Sequence, residues 1–177
     1  GDDAIFINSQ VSGTSTNYGD YGWYGGLDEM LPTQKYKLKM ENDATLTLTG
    51  VPVDLESTPV NLIPGWNWLG YLPQNPGDVT SAFASLGESA IFVNSQVSGT
   101  STNYGDYGWY GGLSTLEPGS GYLLKMNTSA TLYYPNFDGM SRLKENVVTK
   151  LLPQTISHWD FNYAEYENIA SATISLE

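Results

Sequence analysis

Residues Asn8–Leu27 read NSQVSGTSTNYGDYGWYGGL, and residues Asn94–Leu113 read the same letters in the same order. The offset is 86 residues (94 − 8), and it holds without a gap from Ala4/Ala90 to Leu46/Leu132. Internal self-similarity on this scale is the mark of a chain assembled from repeated structural units. The repeated stretch is dense in Gly, Tyr, Thr and Ser and has no helical spacing of apolar residues. It reads as short strands joined by tight turns.

Beyond the identical stretch the two copies diverge while keeping one apolar pattern. Tyr36, Leu38 and Met40 alternate with Lys35, Lys37 and Lys39, and Tyr122, Leu124 and Met126 alternate with Leu123 and Lys125. A period of two predicts a strand with one buried face, here Tyr36/Leu38/Met40 and its twin. The lysines then form the solvated face, which also discourages edge pairing. Ala44, Leu46 and Leu48 alternate with threonines just downstream. The intervening Asn42-Asp43 has turn chemistry, so the two runs are expected to form a hairpin.

Between the copies lie two further strand candidates and one helix candidate. Val60–Ile63 and Trp66–Leu72 flank the turn Pro64-Gly65, and the spacing of Trp66 and Trp68 puts both indoles on one face, expected to be core. Asp78–Leu86 predicts a short helix, with Asp78 or Thr80 as N-cap and Gly87 just past its end. The expected fold class is all-β: tandem antiparallel β repeats of about 86 residues, with one short helix per unit. Residues 1–50 form a first, incomplete copy, lacking its own Pro-Gly-Trp-Asn-Trp half. Residues 51–138 form a second, complete unit. Residues 139–177 form a linker and the start of a following β module. In that last segment Ser141–Leu152 reads as a short helix or a linker, and Ala170–Leu176 alternates like a strand in need of a sheet to join.

Composition bounds the function. The 177 residues are 40% hydrophobic and 13% aromatic, which is too rich for a disordered chain. A net charge of −12 argues against nucleic acid and anionic membranes as main partners. No apolar run reaches the ~20 residues that span a bilayer, so membrane insertion is not expected. With no Cys, disulfides, thiolate metal sites and a Cys nucleophile are excluded. The start at Gly1-Asp2-Asp3, without Met, reads as a processed or excised part of something longer.

Catalytic signals are few. His158 is the single His and no Gly-x-Ser-x-Gly elbow exists, since Gly119-Ser120-Gly121 is only a turn. Packing is the better reading of His158. Glu29 and Glu117 are the candidates for a glycosidase-type carboxylate pair, but in so acidic a chain they read first as ordinary surface acids. One His and no Cys make a zinc site a poor reading. Asn17, Asp20 and Asp2-Asp3 offer hard oxygen ligands of the kind calcium takes, without EF-hand spacing. No cofactor or metal is therefore assigned, and the chain is expected not to be an enzyme.

The aromatic loops are the sharpest feature. Tyr18, Tyr21, Trp23 and Tyr24 sit among Gly19, Gly22, Gly25 and Gly26, and the twin set is Tyr104, Tyr107, Trp109 and Tyr110. Rings among glycines serve either to pack across a tight hairpin or to face a ligand. As ligand-binding candidates they are Tyr21, Trp23, Tyr24, Tyr107, Trp109 and Tyr110, with Asn, Asp and Thr nearby to meet sugar hydroxyls.

Several of these motifs occur together in one known setting. Pro64-Gly65-Trp66-Asn67-Trp68-Leu69-Gly70-Tyr71, Tyr107-Gly108-Trp109-Tyr110-Gly111-Gly112-Leu113, Leu116-Glu117-Pro118-Gly119-Ser120-Gly121-Tyr122 and Thr131-Leu132-Tyr133-Tyr134-Pro135 resemble a repeat of large secreted proteins of Bacteroidota and related bacteria. Trp159, Asn162 and Tyr166-Glu167 resemble the start of the β-sandwich module that often follows it. The first copy departs from the pattern at Pro32-Thr33-Gln34-Lys35, where the second has Pro118-Gly119-Ser120-Gly121. The resemblance implies an extracellular or cell-surface location and carries no catalytic residues. Three functions follow in order: a structural or adhesive module of a larger secreted protein, a carbohydrate-binding module using the paired loops, and a fragment of a hydrolase. The expected partner is a polysaccharide or another surface protein.

Overall fold

The computed structural model describes residues 3–47 and 50–137, together with the backbone of 169–172. The readings of His158, of Ser141–Leu152, of the Trp159–Glu167 motif and of Asp2 lie outside these residues.

The chain is mostly β. Four strands come from the first copy: β1 (Ala4–Ser9), β2 (Thr14–Asn17), β3 (Trp23–Gly25) and β4 (Tyr36–Met40). The middle segment gives β5 (Val60–Leu62), β6 (Gly65–Gly70), β7 (Gly77–Asp78) and the one-turn helix α1 (Val79–Ala82). The second copy gives β8 (Ala90–Ser95), β9 (Thr100–Asn103), β10 (Trp109–Gly111), β11 (Thr115–Leu116), β12 (Gly121–Met126) and β13 (Ala130–Leu132), and β14 is Ile169–Ala172. Two five-stranded antiparallel sheets result, ordered β14-β4-β1-β2-β3 and β10-β9-β8-β12-β6. Two small ladders, β11-β7 and β13-β5, complete the set.

Identical sequence produces identical register. Ile7 faces Ser15 and Leu38, as Val93 faces Ser101 and Leu124. Both β1–β4 and β8–β12 slip at the same point, between Ala4 and Phe6 and between Ala90 and Phe92. Such a bulge bends a strand locally and tightens its twist. The same side-chain closures recur. The Leu31 N–H donates to the Tyr36 hydroxyl oxygen at 2.7 Å, and the Glu117 N–H to that of Tyr122 at 2.8 Å.

The core is unequal. Around β12 the residues Tyr122, Leu124 and Met126 are fully buried with Leu69, Val93, Phe83, Leu113, Leu116 and Leu132. Tyr71 stands at its centre, edge-on to Tyr122 (6.5 Å between centroids) and Tyr134 (5.4 Å). Their hydroxyls are not wasted: Tyr71 donates to the Asn75 carbonyl at 2.9 Å and Tyr134 to that of Gly70 at 3.0 Å. Burial raises both phenols above the ordinary tyrosine range. Among described residues of the first copy, only Ile7 and Tyr36 are buried apolar groups, and Leu38 and Met40 are half-buried.

Four expectations need correction. The helix is shorter than expected. Asp78 is its N-cap, accepting from the Ser81 N–H at 2.8 Å, but after Ala82 the chain tightens into 3-10 turns broken at Gly87 (φ +52°). The helix belongs to the complete second unit, and the described residues of the incomplete first copy contain no α-helix. The hairpin after Met40 is also absent. Residues 43–47 form no strand, and in the second copy β13 pairs with β5. The reason is that both edges of β4 and β12 are taken, by β1 and β14 and by β8 and β6.

Trp66 and Trp68 are not core. Asn67 and Leu69 take the buried face of β6, while Trp66 lies exposed against Phe92 (5.9 Å, edge-on) and Trp68 is half-buried under the Lys37 ammonium (4.5 Å). Asn67 is admitted to the core because its side chain closes the preceding turn, accepting from the Ile63 N–H at 3.0 Å and donating to the Ile63 carbonyl at 2.8 Å. Lys35, expected in solvent, is only 3% exposed. Its backbone is pinned to β6 by the bond from its N–H to the Trp68 carbonyl (3.2 Å), which draws the side chain in.

Candidate functional site: the paired aromatic loops and the junction between the copies

Each aromatic loop is a β-hairpin with a helical turn at its tip. Asn17 ends β2 and fixes the loop at both sides. Its amide nitrogen donates to the Ala4 carbonyl (2.8 Å), and its oxygen accepts from the Gly19 N–H (3.0 Å). Asn103 does the same toward Ala90 (2.8 Å) and Gly105 (3.1 Å). A single 3-10 turn follows, Gly19–Tyr21 or Gly105–Tyr107, closed by Gly22 at φ +82° or Gly108 at φ +80°. A side chain at that φ is strained, so the glycine is required. Gly25 and Gly111 are required for another reason. A Cβ there would lie 2.1 Å from the carbonyl oxygen of Thr14 or Thr100.

This backbone presents tyrosines outward. Tyr21 and Tyr107 are each 80% exposed at the loop tips, and Tyr18, Tyr24, Tyr104 and Tyr110 are exposed as well. Tyr18 and Tyr24 meet edge-on at 6.0 Å, and Tyr104 and Tyr110 at 6.1 Å. Each loop therefore carries a preset pair of rings with a third beside it.

The tryptophans part company. Trp23 is 44% exposed, whereas Trp109 is half-buried against Phe83 at 5.5 Å. Phe83 follows α1, and the described residues of the first copy have no such cover. Of the candidate ligand residues, Tyr21, Trp23, Tyr24, Tyr107 and Tyr110 thus lie open, while Trp109 is partly committed to the core.

Among the described residues no group of three or more His, Asp or Glu is placed to hold a metal ion. The Asn17 side chain, considered as a calcium ligand, is engaged with the backbone instead. Glu117 has its carboxyl raised above the usual range by partial burial.

A second feature escaped the sequence reading. Gln10 reaches across to β6, its amide nitrogen donating to the Trp66 carbonyl (2.5 Å) and its oxygen accepting from the Trp68 N–H (2.6 Å). One side-chain amide thereby imitates a neighbouring strand. Beside it the Gly70 N–H donates to the Thr33 carbonyl (3.0 Å), and Gln34 bridges to Leu69. A shallow groove lined by Gln10, Val11, Gln34, Val60, Asn67 and Trp68 opens at this junction. The available signal was the departure at Thr33-Gln34-Lys35 from Gly119-Ser120-Gly121: larger residues stand where one copy touches the other.

No protein-family model, curated protein or solved structure matches this chain. No helix among the described residues is long and apolar enough to cross a membrane.

Proposed function

We propose that this chain is a non-catalytic β-repeat module of a larger secreted or cell-surface bacterial protein, and that it serves adhesion through its aromatic loops. The observation that carries this reading is the pair of tyrosine loops. Six rings stand in solvent on two backbones of the same geometry, each held by an asparagine brace and by glycines that admit no side chain. Such rings contribute little to the core, and large amphipathic rings on rigid supports are what binding surfaces use. Two loops on one chain add avidity toward a repetitive partner.

A carbohydrate partner is the more specific form of this reading. Trp23 and Tyr24 lie open next to Asp20 and Asn17, so flat apolar faces and polar groups stand together. The test is a polysaccharide panel probed with the parent chain, Tyr21→Ala, Tyr107→Ala and the double variant, with circular dichroism checked for each. We expect each single variant to weaken binding severalfold and the double to lose more than either. Unchanged binding in the double variant would remove the loops from the adhesive surface. Binding to a surface protein but to no glycan would retain the adhesive reading and discard the carbohydrate one.

A further inference from the structure

The outer edges of β4 and β12 are equivalent, and each is filled by a strand from a different origin. On β12 sits β6, antiparallel, with Tyr122 facing Leu69, Leu123 facing Trp68, Leu124 facing Asn67 and Lys125 facing Trp66. On β4 sits β14, also antiparallel, with Tyr36 facing Ala172, Lys37 facing Ser171, Leu38 facing Ala170 and Lys39 facing Ile169. At the 86-residue offset the two registers coincide. Yet Gly-Trp-Asn-Trp-Leu-Gly and Ile-Ala-Ser-Ala share no pattern of side chains. The edge therefore selects direction and register through the backbone, which is how strand addition works.

From this we infer that the outer edge of β4 is a strand-acceptor site, whose occupant in exchange with β14 is a Gly-Trp-Asn-Trp-Leu-Gly strand of the type seated on β12. That strand type is seated on the twin edge, in the same register and direction as β14 on β4. It would place a leucine at the level of Tyr36 and lengthen the ladder. It would also bring its first tryptophan opposite Lys39, as Trp66 stands opposite Lys125 with the ammonium 5.8 Å from the ring. A cation over an indole adds attraction to the backbone ladder. The first copy has room for such completion, since Leu38 and Met40 are only half-buried while Leu124 and Met126 are fully so.

The test uses the full chain and a synthetic peptide of residues 58–72, with isotope-labelled protein followed by NMR. Ser171→Pro removes a backbone N–H from the middle of β14 and restricts the preceding residue. We expect the peptide to bind Ser171→Pro at least ten times more tightly than the parent, with shifts centred on Tyr36–Met40. A peptide N-methylated along one edge should not bind. A second readout leaves β14 intact. Because the chain has no Cys, a fluorophore on Ser171→Cys reports release of β14 as peptide is added. Equal affinity for parent and Ser171→Pro, shifts elsewhere, or a silent fluorophore at saturating peptide would each overturn the proposal. A Ser171→Pro chain that dimerises and excludes the peptide would assign the edge to a second copy and overturn the choice of occupant.

Discussion

Lys35 shows how far a single residue escapes its local pattern. By alternation it belongs with Lys37 and Lys39, but it lies at the joint between the copies and is buried there. Burial lowers its ammonium pKa to about 8 from 10.5, with the charge of Lys37 adding to the effect. Between pH 8 and 10.5 the unfolded chain holds a proton that the folded chain has released. Stability from this group therefore rises with pH across that window, and below it the folded state carries the full cost of a buried charge. Lys35→Met should be more stable than the parent at pH 7, with the advantage shrinking as pH approaches 10.5. Urea midpoints of both chains at several pH values measure this, and a pH-independent difference would show Lys35 to be solvated. The sequence could not supply this reading, because alternation describes one strand and Lys35 is buried by another. The glycines were more legible: four among aromatics predict tight turns, and Gly22 and Gly25 supply them.

At the level of strands, alternation located β4 and β12 and named the buried face of β12 correctly. It failed where the partner decides. Trp66 and Trp68 alternate as cleanly as Asn67 and Leu69, and nothing local says which pair turns inward. The choice is made by register on β12, where Asn67 faces Leu124 and Trp66 faces Lys125. The hairpin after Met40 failed for a related reason, since a turn sequence cannot show that the strand before it has both edges in use. Burial also differs between twins, and energetics should follow. Leu124→Ala removes a fully buried side chain and should cost about 2–5 kcal/mol. Leu38→Ala, at the equivalent but half-buried position, should cost about half as much or less. Equilibrium urea unfolding compares them, and equal costs would mean that the first sheet is covered as fully as the second.

At the scale of the molecule, the repeat was plain in the sequence and the joint was not. The bonds of Gln10 to Trp66 and Trp68 span 56 and 58 positions, and no periodicity reaches that far. The backbones come close at Gly70, where a Cβ would stand 2.2 Å from the Pro32 carbonyl oxygen. Gly70→Ala must push the copies apart, and we expect a loss of roughly 1–3 kcal/mol, as overpacking usually brings. Hydrogen exchange should quicken at the Lys35 and Trp68 amides, which bond across the joint, and not at Val93 or Leu124 inside the second sheet. Uniform quickening would show that the joint and the sheet open as one unit.

The joint has a mechanical consequence. Between β4 and β5 the chain runs through residues 41–59 without a described strand or helix, while the copies are held together beside it by Gln10 and by the short backbone contacts of Thr33 and Lys35. Because β14 returns to the edge of β4, tension between the ends of the chain passes first through that ladder, and the joint takes load only after β14 leaves it. Once β14 and then the joint have parted, the connector can extend to roughly 60 Å at ~3.3 Å per residue. Separation of the copies is therefore gated by the strand that β14 adds to the first sheet.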